Sequence, residues 1–131
     1  MPARDTFDYA IIRVVPRPER EEFVNAGVIV SCHLRHFLAA RVELDEARLL
    51  ALCPEVDLEE VRRHLAAIPS VCAGGPAAGP LGTLSERERW YWLVAPRSTI
   101  LQVSPPHVGL CDDPAEMLER LMDRMVRRPK V

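Results

Sequence analysis

The run from Phe7 to Val15, FDYAIIRVV, is the feature that most limits what this chain can become. β-Branched and aromatic residues dominate it and Pro16 stops it, so it reads as a strand. Side chains alternate between its faces: Ile12 and Val14 point one way, and Tyr9, Ile11, Arg13 and Val15 the other. Both sets are largely apolar, which predicts a central strand covered on both sides. Arg13 is the odd residue. It needs a partner or an opening to solvent.

The chain has twelve prolines, and most fall between periodic segments, where they mark boundaries. Pro16 to Glu22 is a charged loop with room for one helical turn. Phe23 to Cys32 reads as a second strand, in which Asn25 and Gly27 predict a bulge or a close approach by another segment. A short HLRH turn leads to a third strand, Phe37 to Val42. Short links between consecutive strands favour an antiparallel meander. Asp45 opens a helix that Pro54 ends. Asp57 and Glu60 have capping-box spacing and open another, with the apolar stripe Leu58, Val61, Leu65 and Ile68. Pro69 is expected to end that helix.

Cys72 to Gly82, CAGGPAAGPLG, reads as a plain or mobile loop. A phosphate cradle is the competing reading, but the GK[ST] ending is missing and two prolines remove backbone donors. Ser85 and Glu88 form a second capping box, opening a helix that carries Trp90, Trp92 and Leu93 and stops at Pro96. Ile100 to Val103 is a fourth strand, closed by Ser104-Pro105-Pro106. His107 to Cys111 is short and extended, an edge-strand candidate. Asp113-Pro114-Ala115-Glu116 starts the last helix, with Leu118, Leu121, Met122 and Met125 on its apolar face. The expected architecture is α+β. One domain over residues 1–131 has an antiparallel sheet of four or five strands and three to four helices packed mainly on one face.

Composition excludes several classes. With 131 residues, 48% hydrophobic and 27% charged, the chain buries a single core without disulfides and is not disordered. A net charge of −2 offers no global attraction to nucleic acid, so a nucleic-acid role is disfavoured. Arg127, Arg128 and Lys130 read as the basic end of a helix. The start MPARDTFDYA has acids where a signal peptide needs an apolar stretch. No apolar run reaches the roughly 20 residues of a membrane span. A cytoplasmic location is expected. Cys32, Cys53, Cys72 and Cys111 are scattered and read as buried thiols.

Polar chemistry concentrates between Ala95 and Asp113, APRSTILQVSPPHVGLCDD. Arg13, Arg17 and Arg97, with Ser98 and His107, are the candidate anion site, because a guanidinium fork binds carboxylate or phosphate through two parallel hydrogen bonds. The competing reading pairs Arg13 and Arg97 internally with Glu21, Glu22, Asp112 or Asp113. Asp112 and Asp113 also occupy the helix N-terminus that would otherwise attract an anion. Cys32, His33 and His36, with His107, Cys111 and Asp112, have ligand types suited to zinc but no zinc spacing. No metal or cofactor is expected. Cys111 with His107 and Asp112 has the residue types of a thiol nucleophile and its base. However, His107 and Cys111 lie about 13 Å apart along a strand. Trp90, Tyr91 and Trp92 are consecutive aromatics, and successive helical residues point 100° apart. At least one is therefore expected at the surface, and these three are the interface candidates. Packing under the Gly/Pro loop is the competing reading.

The blocks DYAIIRVVPRPEREEFVNAGVIV, CAGGPAAGPLG and APRSTILQVSPPHVGLCDDP resemble the bacterial DUF3037 family, a domain of unknown function, over nearly the whole chain. The resemblance implies a small bacterial protein with no assigned activity and no established catalytic residues to carry over. It also implies a protein partner, a HipA-like kinase encoded nearby. The expected function is a non-enzymatic binding or regulatory domain acting with a partner protein. The alternative is a small enzyme or ligand-binding protein with an anion site around Arg13, Arg97 and His107.

Overall fold

The computed structural model of the chain describes residues 4–97 and 99–129. The first strand, β1 (Asp5–Val14), is joined to β2 (Val24–Cys32) through a 3-10 turn at Pro18–Arg20. β2 leads through a second turn to β3 (Phe37–Val42). Helices α1 (Glu46–Leu52), α2 (Leu58–Ala73) and α3 (Glu86–Val94) come next in the chain. Then come β4 (Leu101–Val103), β5 (His107–Cys111) and α4 (Pro114–Met125). All pairings are antiparallel. The strand order is β3-β2-β1-β4, and β5 also pairs with β1. The sheet and its helices form the α+β architecture expected.

β1 is central and covered on both faces. Ala10, Ile12 and Val14 pack with Leu49 of α1, Val61 and Leu65 of α2, and Trp90 and Leu93 of α3. Phe7 and Tyr9 look the other way, into a cluster with Val28, Val30, Leu118, Leu121 and Met122. Three of the four α-helices among the described residues therefore lie on one face, and α4 lies on the other. Each fully buried aliphatic side chain at this junction contributes about 1.5–3 kcal/mol.

The helix starts agree with their caps. Asp45 accepts from Arg48 N at 3.1 Å and Asp57 from Glu60 N at 3.2 Å. Ser85 and Glu88 make the full reciprocal box. Asp113 accepts from Ala115 N at 3.0 Å. One expected stop is corrected: α2 does not end at Pro69 but runs on to Ala73. Pro69 removes its own N–H from the helical ladder and crowds the Leu65 carbonyl one turn earlier, a local cost that is outweighed here. Val71 and Cys72 beyond it are buried in the core, which holds the final turn in place. The helix ends instead at Gly74, whose φ of +74° favours glycine. The Gly/Ala/Pro stretch, expected as a loop, continues as 3-10 turns over Pro76–Thr83, broken at Gly79.

Two irregularities shape the central strand. The register between β1 and β2 shifts at Ile12/Arg13. Beside that shift, an added Cβ on Gly27 would lie 2.6 Å from Arg41 O and 2.9 Å from Ile12 Cδ1. Both features suggested by Asn25 and Gly27 are thus present. On the other edge, Ile12 faces Val103 while Tyr9 faces His107, so Ser104, Pro105 and Pro106 lie opposite Ala10 and Ile11. β4 and β5 are two halves of one edge, interrupted by a bulge that two prolines occupy. Ser104 closes it. Its N–H donates to Ile11 O at 2.9 Å, and its Oγ accepts from Ile11 N at 2.8 Å.

Ser104 is 1% exposed, so Ser104→Ala leaves the Ile11 N–H without an acceptor in a place water does not reach. The expected loss is about 1–3 kcal/mol. Urea denaturation monitored by far-UV circular dichroism reads it, and a change below about 0.5 kcal/mol would show that another acceptor takes over.

Candidate functional site

The structure separates the residues proposed for the anion site. Arg13 alternates with Ile12 and so points to the α4 side of the sheet. Its guanidinium stacks 4.2 Å from the Phe23 ring centroid. Arg97 sits on the Ile12 side. It donates to Trp92 O at 2.6 Å and Leu93 O at 3.4 Å, and it lies 4.1 Å over the Trp92 ring. A cation there offsets the partial negative charge at the C-terminus of α3. His107 shares the face of Arg13 and packs its ring 5.1 Å from that of Tyr9. Arg17 pairs with Glu55 at 3.1 Å. Ser98 lies outside the described residues. Arg13 and His107 therefore share a sheet face, four positions of β1 apart by register. Arg97 does not join them.

Neither arginine takes the internal carboxylate partner proposed for it. Glu22 pairs with Arg20, and Asp112 with Arg4 at 3.5 Å. Among the described residues, no carboxylate forms an ion pair with Arg13 or Arg97. Arg13 Nε is buried without a hydrogen-bond partner, and so is Oδ1 of Asn25, the residue facing Arg13 on β2. Asn25 Nδ2 is used, donating to Met125 O at 3.0 Å. The basic C-terminal residues are engaged as well. Arg127 binds Glu43, Asp123 and Glu119, which together raise its pKa, and Arg128 binds Asp45 at 2.5 Å. Lys130 lies outside the described residues.

The aromatic triplet divides as helical geometry requires. Trp90 is buried at 3% exposure, whereas Tyr91 and Trp92 are 58% and 41% exposed. Trp90 is thus a core residue, leaving Tyr91 and Trp92 for contact. Trp92 stands at the mouth of a cleft of about 530 Å³ between α2, the end of α3 and β4. Ile12, Ile68, Val71, Leu101 and Val103 make its apolar walls, and Glu60, His64, Arg97 and Gln102 make a polar rim. His64 and Glu60 approach to 3.6 Å. Periodicity alone does not reveal this cleft, because Ile68 reads as the last member of a core stripe. No signal in that stripe separates cleft from core, and Val71 lies beyond Pro69, where the sequence predicts the helix to end.

A second, polar recess of about 230 Å³ lies at the start of α4, among Arg4, Asp112, Asp113, Glu116 and Arg120. Arg4 pairs with Asp112 at 3.5 Å and Arg120 with Glu116 at 3.0 Å, while Asp113 caps the helix. Among the described residues, no three His, Cys, Asp or Glu are grouped to hold a metal ion. None of their helices is long and apolar enough to cross a membrane. Cys111 is buried and its pKa is raised, chiefly by that burial and next by nearby Cys32. His107 is exposed at the other end of β5.

The four cysteines are free and buried. Burial pushes Cys72 up to about 12, with the Arg89 guanidinium only partly opposing it. In the folded protein at pH 8, Ellman's reagent should react roughly 100-fold more slowly than in urea, where all thiols are open. One fast-reacting thiol in the native state would mark a reactive cysteine. Residues 9–126 match a family model described as a protein of unknown function, DUF3037. No curated protein and no solved structure matches the chain.

Proposed function

We propose that this chain, which belongs to the DUF3037 family, is a non-enzymatic binding or regulatory domain that acts with a partner protein through the Trp92 cleft. The observation that carries this reading is an apolar cleft whose lip is an indole left 41% exposed and stacked by a cation. Large apolar side chains cost free energy when left in water, and exposed aromatics beside apolar recesses are typical anchors of interfaces. Tyr91, next to Trp92 on α3, is also exposed, with Arg87 5.2 Å from its ring centroid, though it does not line the cleft itself. Farther along the same sheet edge, beyond the Ser104–Pro106 interruption, Val108 and Leu110 are also exposed, at 71% and 57%. A HipA-like kinase, the partner the resemblance implies, is the first to test.

Arg13 supports a second reading, an anion site on the opposite face. Its guanidinium has no carboxylate partner among the described residues, and its Nε donor is without a hydrogen-bond partner. A cation in this state is open to a ligand carboxylate or phosphate. His107 on the same face supplies a further donor; Arg97 belongs to the cleft instead.

Trp92→Ala should weaken partner binding about 30-fold and Tyr91→Ala less, as truncation of a central and a peripheral anchor does. Co-purification and calorimetry with the kinase measure this, with circular dichroism to verify the fold. Partner binding equal to wild type in both variants would remove the cleft from the interface. For the second reading, calorimetric titration with inorganic phosphate and with succinate should give heats in wild type that Arg13→Gln abolishes. Unchanged or absent heats in both proteins would make Arg13 structural.

A further inference from the structure

We infer that the Trp92 cleft takes an extended segment of the partner, added as a new strand on the outer edge of β4, with apolar side chains in the cleft and a carboxylate on Arg97. The inference rests on the proposed role of the cleft and states what fills it.

The hydrogen-bond pattern fixes which way β4 presents its backbone. Val15 N donates to Ile100 O at 2.7 Å, and Ser104 N donates to Ile11 O at 2.9 Å. In an antiparallel pair these bonding positions recur every second residue. Ile100, Gln102 and Ser104 therefore turn their backbone groups toward β1, and Leu101 and Val103 turn theirs away. Among the described residues β4 pairs with β1 alone. The Leu101 carbonyl is occupied by Thr99 Oγ1 at 2.7 Å. The Leu101 N–H, the Val103 N–H and the Val103 carbonyl have no strand beside them. An edge with open donors above an apolar recess is suited to strand addition, in which backbone bonds give affinity and alternate side chains give selectivity. A docked helix keeps its own backbone groups bonded internally and leaves these open.

Side-chain parity agrees. Val103 faces Ile12 across the ladder, and both line the cleft with Leu101. Every second residue of an added strand would stand beside them, over Ile68 and Val71. Charge sets the partner's polarity. Arg97 is held at the rim by two carbonyls and the Trp92 ring, and among the described residues it has no carboxylate partner. An acidic residue or a C-terminal carboxylate on the segment supplies the missing anion. Length is bounded too. Pro105 has no N–H to offer, so pairing beyond Val103 stops there.

The test is selection of a random 12-residue phage-displayed peptide library on the wild-type protein, then measurement of the enriched peptides' affinities for three variants. Enrichment of alternating apolar residues with one acid is expected. Val103→Pro removes an outward N–H and spares the β1 ladder, so it should weaken binding at least tenfold. Arg97→Gln should do the same only for peptides that keep the acid, and Trp92→Ala should weaken all of them. If Val103→Pro does not fold, N-methylation of the peptide asks the same question. Methyl groups at one parity should abolish binding, and those at the other should leave it intact. Peptides that depend on Trp92 but ignore Val103→Pro, or that carry apolar residues three and four apart, would overturn strand addition and leave the cleft a docking site. Failure to enrich any peptide that depends on Trp92 would remove both. Dimerisation of the wild type that Val103→Pro abolishes would give the edge to a second copy of this chain and overturn the proposal.

Discussion

Everything in this fold depends on burying β1 from both sides at once. A strand with apolar residues on both faces needs two covering layers and two bonded edges. Ala10, Ile12 and Val14 draw α1, α2 and α3 to one side, and Phe7 and Tyr9 share the other with α4. The edges are met unequally. β2 runs beside β1 for nearly its full length. The opposite edge is completed in two pieces, with Ser104 bonding Ile11 where the prolines interrupt. The cleft is a by-product of that second edge. β4 is three residues long, too short to support a helix along it, and α2 leans over it without closing the gap.

Local rules were legible in the sequence, and long-range ones were not. Asp45, Asp57, Ser85 and Asp113 opened helices because a capping oxygen and the amide it receives lie within three residues of one another. Gly27 signalled close approach because only a missing Cβ tolerates a carbonyl at that distance. The stop at Pro69 failed because tertiary burial of Val71 and Cys72 outweighed a local breaker. The role of Ser104 was hidden, since nothing in Ser-Pro-Pro tells which amide 93 residues away its hydroxyl will meet. Helical periodicity likewise says that a helix has an apolar face without saying which side of the sheet receives it.

Arginine placement shows the same division. Arg13, Arg17 and Arg97 look equivalent as sequence. Parity on β1 sends Arg13 away from Ile12, and the turn after α3 folds Arg97 back onto carbonyls at its own helix end. A guanidinium five residues after a tryptophan becomes the clamp that fixes the ring. That relation is local, and WLVAPR carries it once the helix end is counted as an acceptor.

The split edge has a consequence for how the molecule comes into being. The Ile11 amide and the Ser104 hydroxyl that accepts its hydrogen bond are 93 residues apart. The meander of β1, β2 and β3 forms from neighbouring sequence, but β1 waits at its edge, open along one side, until β4 and β5 emerge from the ribosome. Non-local closure of this kind slows folding and leaves a strand edge exposed to other chains meanwhile. Synthesis from the N-terminus thus makes the strand that ends up central the first one available and the last one sealed.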